Sequence, residues 1–210
     1  PAPYWVSYPD MAILCDATPV FIHTTEAQSF KMSPEQLEAV ISPRSKLLII
    51  NSPSNPTGMV YTADELKALA EVLRRHPQLT IISDDIYEPI IWSKGKFRNS
   101  AMACPELKDR TLVINGVSKA YAMAGWRIGY TAGNATIISA MKKIQSQSTS
   151  NPCSISQHAS VAALNESQAC VQDMVKVYEQ RQKLALGLLK DIPGLSCTTT
   201  EGAFYLFPNM

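Results

Sequence analysis

Short apolar runs rich in β-branched residues alternate along the chain with longer segments of helical period. Four of the runs read as buried strands: Leu47 to Ile50, Thr80 to Ser83, Thr111 to Asn115 and Arg127 to Ala132. Continuous apolar runs of this length suit strands covered on both faces, as in a parallel sheet with crossover helices. Between the first two, Thr62-Ala63-Asp64-Glu65 has the form of a capping box, and Leu66, Leu69, Ala70 and Leu73 line one face of the helix it opens. This is a βαβ unit. The spacing of Ile137, Ile138, Met141 and Ile144 predicts a second helix from Ala135 to Gln145, ended by the polar stretch Ser146 to Pro152. Val171 to Leu189 reads as a long amphipathic helix stopped by Pro193-Gly194, with Cys197 to Phe207 as extended chain. The expected fold class is α/β. A mainly parallel sheet flanked by helices fills a large domain over 1–165, and 166–210 form a connecting helix and the beginning of a smaller α+β domain.

Composition narrows the partners. The 210 residues are 46% hydrophobic and carry a formal charge of +1, which leaves no electrostatic footprint for nucleic acid. No apolar run approaches the ~18 residues of a membrane span. Cys15, Cys104, Cys153, Cys170 and Cys197 are odd in number and lack the spacing of a metal knuckle or redox pair, so reduced thiols and a cytoplasmic location are expected. His23, His76 and His158 have no carboxylate or cysteine at ligand spacing, and no metal is expected. The loop-like opening Pro1-Ala2-Pro3 and the ending Phe207-Pro208-Asn209-Met210 read as cut from a longer chain.

The candidate chemistry lies just past the carboxyl ends of predicted strands, where open α/β sheets bind ligands. Lys119 follows the run Thr111 to Asn115. Desolvation on one side favours its neutral amine, the form that attacks a carbonyl to make an imine. Eight residues on, Arg127 offers a planar guanidinium suited to a phosphate. In Ile81-Ile82-Ser83-Asp84-Asp85-Ile86-Tyr87, the spacing of Asp84 and Tyr87 suits a carboxylate facing a ring nitrogen and a phenol reaching a ring oxygen. Taken alone, that pair reads more readily as a helix-capping aspartate and a core tyrosine. Asn55, in the turn after Leu47 to Ile50, offers an amide donor and acceptor. Tyr4-Trp5 supplies an aromatic face for packing or stacking.

Together these segments resemble the fold-type I, class I and II aminotransferases, and most closely the bacterial aspartate aminotransferase group. The likeness runs from Pro3-Tyr4-Trp5-Val6-Ser7-Tyr8-Pro9, through Ser118-Lys119 and Gly125-Trp126-Arg127-Ile128-Gly129-Tyr130, to Gly202-Ala203-Phe204-Tyr205. The resemblance implies pyridoxal 5'-phosphate held as an imine by Lys119, which also moves the substrate α-proton. It assigns Asp84 to the pyridine nitrogen, Tyr87 to the ring oxygen, Arg127 to the phosphate, Trp5 to ring stacking and Asn55 to the substrate carboxylate. It further implies a ping-pong exchange between an amino acid and a 2-oxo acid, with L-aspartate and 2-oxoglutarate leading, and a homodimer. Prephenate or aromatic acids are the alternative substrates, and a cofactor-binding sensor domain of a transcription regulator is the alternative function.

Two departures qualify this expectation. Many relatives place a phosphate-binding serine where this chain has Gly116, leaving open whether Ser118 substitutes. The phosphate loop and the arginine for the substrate carboxylate are expected outside these residues, so the chain alone is expected to be inactive.

Overall fold

The computed structural model describes residues 1–92 and 97–210. Four strands form one sheet in the order β1 (Leu47–Asn51), β2 (Thr80–Asp84), β3 (Thr111–Gly116) and β4 (Gly129–Ala132). The first three run parallel, and β4 lies antiparallel to β3 with Gly116 opposite Gly129. The expectation of a mainly parallel sheet flanked by helices therefore holds, with a reversed strand at its edge.

Seven helices accompany the sheet among the described residues: α1 (Ser7–Leu14), α2 (Pro34–Val40), α3 (Ala63–Arg75), α4 (Ser100–Ala103), α5 (Ala135–Ser148), α6 (Ser154–Asn165) and α7 (Ala169–Lys190). The Thr62 capping box forms as expected: its hydroxyl accepts from Glu65 N, and the Glu65 carboxylate accepts from Thr62 N. This places Leu66, Leu69 and Leu73 against Leu48, Ile50 and Ile81 in the main core, closed by Leu37 of α2 and Leu107. Fully burying a side chain of this size stabilises by about 1.5–3 kcal/mol, so this face anchors β1 and β2.

Three elements depart from expectation. Arg127 does not open a strand. It adopts a left-handed conformation with φ 56°, and pairing starts only at Gly129. Helix α5 continues to Ser148 through the polar stretch expected to end it, because serine and glutamine on an exposed face do not break a helix. Cys197 to Phe207 forms no strand; it is held by single bridges, Ile91 to Gly202 and Ser196 to Asn209, and turns at Ala203 with φ 55°.

Candidate functional site

Alternation along β2 separates two adjacent aspartates. Ile81 and Ser83 face the main core, whereas Ile82 and Asp84 face the opposite side of the sheet. There Asp84 meets Tyr8 of α1, whose phenol donates to Asp84 Oδ2 at 2.6 Å, while Ile86 N donates to Oδ1 at 3.2 Å. Burial, then the Asp84 charge, pushes the Tyr8 phenol well above its ordinary range, so Tyr8 stays a donor. Asp85 lies past the strand end and is 1% exposed. It accepts from Ser83 Oγ at 2.7 Å and Asn99 Nδ2 at 2.6 Å, and burial raises its carboxyl to about 7. Asp84 is the half-open carboxylate and Asp85 the enclosed one.

The β1 end contributes the next group. Asn51 pairs with Asp84 in register and donates from Nδ2 to the Asp84 carbonyl at 3.0 Å. Its Oδ1 accepts from Asn55 N at 2.7 Å, so the following turn is tied to the β2 end. The Ser52–Pro53 and Asn55–Pro56 peptides of this turn are cis.

Tyr87, 3% exposed, packs with Ile90 and Ala203 under Met174, Val175 and Tyr178 of α7. Burial foremost, then Tyr205 and the Asp84 charge, raises its phenol above the ordinary range, while the Asn55 side chain acts in the opposite sense. The Lys119 amine stands 5.9 Å from the centroid of the Tyr87 ring. Lys119 is half-buried and makes no ion pair with the described residues. An amine, a phenol and a carboxylate thus converge at the carboxyl ends of β2 and β3.

Arg127 sits in the connection from β3 to β4, at the same end of the sheet as Lys119. One N–H of its exposed guanidinium donates to the Ala124 carbonyl at 2.9 Å, and it bonds to none of the other candidate side chains. Trp5 meets the ring of Tyr8 edge-on, with centroids 5.4 Å apart. A groove of about 760 Å³ runs beside the site, with Tyr4, Tyr8, Asn51 and Asn55 among its walls.

The question of a serine at Gly116 is answered by packing. A Cβ there would lie 2.8 Å from the Ile128 carbonyl oxygen and 3.2 Å from the Gly129 Cα, so the β3–β4 crossing leaves no room for a side chain.

Sequence reasoning missed two phenols. Tyr8 lies 76 residues from Asp84. Tyr205, 118 residues from Tyr87, brings its oxygen to 2.6 Å from the Tyr87 oxygen. Neither bears a local pattern beyond its place in a motif.

The donor set fits pyridoxal phosphate on chemistry alone: an uncommitted amine for its carbonyl carbon, a carboxylate for its ring nitrogen, a phenol for its ring oxygen and a guanidinium for its phosphate. The model of the aminotransferase class I and II family matches residues 1–210. The chain belongs to this family. Its cofactor is pyridoxal phosphate. The chain is 54% identical over 207 residues to the aspartate/prephenate aminotransferase of Nitrosomonas europaea, covering 99% of this chain and 52% of that protein. It is 52% identical to the aspartate aminotransferase of Geobacillus stearothermophilus, covering 100% of this chain and 53% of the relative. The crystal structure of the aspartate aminotransferase of Rhizobium meliloti superposes with a TM-score of 0.97 at 47% identity, over 99% of this chain and 52% of the other. The chain spans about half the length of these relatives.

Proposed function

We propose that the protein carrying this chain is an aminotransferase in which Lys119 binds pyridoxal phosphate and moves the substrate α-proton. The observation that carries the reading is the approach of the Lys119 amine to the Tyr87 ring, with Asp84 three residues before Tyr87 on the same strand end. Bound there, the cofactor would act as an electron sink for negative charge at the substrate α-carbon. Asp84, which accepts from the Tyr8 phenol, faces the ring nitrogen and holds a proton on it. Tyr87 donates to the ring oxygen, Arg127 neutralises the phosphate, Trp5 covers the ring, and Asn55 orients the substrate carboxylate. Lys119, half-buried over the Tyr87 ring, takes and returns the proton.

L-aspartate is the proposed amino donor and 2-oxoglutarate the acceptor, supported by relatives named for aspartate. Prephenate is the second acceptor to test, because the Nitrosomonas europaea relative is named for both. We also propose a cytoplasmic homodimer. Its location is supported by five free cysteines and by the absence, among the described residues, of a helix long and apolar enough to cross a membrane. These 210 residues alone, about half of each relative, are expected to be inactive.

The test follows the visible spectrum of the complete polypeptide loaded with pyridoxal phosphate. L-aspartate should bleach the band, and 2-oxoglutarate or prephenate should restore it. A band that responds to no amino acid would identify a cofactor-binding sensor instead.

A further inference from the structure

The Tyr87–Tyr205 contact has a consequence for how the phenol of Tyr87 is aimed. A phenol has one proton to give and two lone pairs to fill. The two oxygens are 2.6 Å apart, so one hydroxyl donates to the other. If Tyr205 is the donor, the single Tyr87 proton is left for a third partner.

Tyr205 is held firmly enough for this part. Glu201 N and Gly202 N both donate to the Gly58 carbonyl at 3.0 Å, and Ala203 N donates to the Ile90 carbonyl at 2.8 Å. Trp92 Nε1 and Gln182 Nε2 both donate to the Thr200 carbonyl. At Gly202 a Cβ would strike the Ile90 oxygen at 2.7 Å, so the segment lies flush against the turn after β2. The Tyr205 ring meets the Tyr87 ring edge-on, with centroids 5.6 Å apart.

We propose that Tyr205 is a positioning residue for the cofactor: its hydroxyl donates to the Tyr87 oxygen and so commits the Tyr87 proton to the cofactor ring oxygen. This rests on the reading of Lys119, Asp84 and Tyr87 as the pyridoxal phosphate site. It makes the segment Thr200 to Tyr205, remote in sequence, part of the device that sets the cofactor's acidity. A donor that itself receives a hydrogen bond is a stronger donor. A ring oxygen that loses such a donor is less stabilised as an anion, becomes more basic, and holds the shared proton to higher pH.

The experiment titrates the visible band of the loaded, complete polypeptide against pH in four forms: unmodified, Tyr205→Phe, Tyr87→Phe and the double variant. Phenylalanine keeps the ring packing and removes only the hydroxyl. Tyr205→Phe should move the midpoint upward by about half a unit to one unit, the loss of one hydrogen bond. Tyr87→Phe should move it further, and the double variant should match Tyr87→Phe because Tyr205 acts through Tyr87. A midpoint unmoved by Tyr205→Phe but moved by Tyr87→Phe overturns the role of Tyr205 and leaves the cofactor site standing. So does a Tyr205→Phe effect that persists undiminished without Tyr87. A polypeptide that takes up no pyridoxal phosphate contradicts both.

Discussion

Replacing Asp85 by asparagine should stabilise the protein at neutral and alkaline pH while leaving cofactor binding intact. Asp85 is 1% exposed, and its oxygens accept from Ser83 Oγ and Asn99 Nδ2. Asparagine keeps both contacts, since its carbonyl accepts from Asn99 and its amide donates to the Ser83 oxygen; only the buried charge is lost. The gap between the ordinary value of 3.8 and about 7 bounds the cost of that charge at about 4 kcal/mol, at about 1.36 kcal/mol per pH unit. The folded value is raised, so the folded state keeps its proton where the unfolded chain has lost it. The group's contribution to stability is fully present below about pH 4, falls as pH rises toward about 7, and is gone above it. Asp85→Asn lacks this loss. Its advantage in chemical denaturation should be near zero at pH 4, grow to about 1–4 kcal/mol by pH 8, and then level off. A variant less stable than the unmodified protein at pH 8, or an advantage independent of pH, would refute the reasoning. Asp85→Ala serves as the contrast, because it strands the Asn99 amide at about 1–3 kcal/mol.

Three further changes probe the same frame. Gly116→Ser should destabilise this chain by about 1–3 kcal/mol in thermal unfolding, because its Cβ meets the Ile128 carbonyl at 2.8 Å. Tyr8→Phe removes the charge-assisted bond to Asp84 and should weaken pyridoxal phosphate binding by roughly tenfold or more in equilibrium dialysis; unchanged affinity would mean that Asp84 needs no support from α1. Gly58→Ala forces a side chain into φ 69° and against Thr200 Cβ at 2.7 Å. It should cost about 1–2 kcal/mol and show first as faster hydrogen exchange at residues 201–203.

The strands β1 to β3 and helix α3 were legible because each combined an apolar run or stripe with an explicit end signal. Helix α1 was not, since it contributes no buried residue to the core and so has no apolar stripe. Helix α2 did carry a signal that went unused: Ser33-Pro34-Glu35-Gln36 is a capping box with proline at its first turn. The reversal of β4 is a matter of pairing, which a run of apolar residues does not encode. Within the site, the choice of Asp84 over Asp85 followed from its spacing to Tyr87, and strand alternation gives that spacing its physical meaning. Tyr8 and Tyr205 were out of reach, because each gains its importance from a residue far along the chain.

The complete polypeptide, loaded with pyridoxal phosphate and reduced with borohydride, should carry the cofactor's mass on the peptide containing Lys119. Lys119→Ala treated identically should carry none at that peptide and show no visible band. Stoichiometric labelling at any other lysine in the unmodified protein would contradict the account.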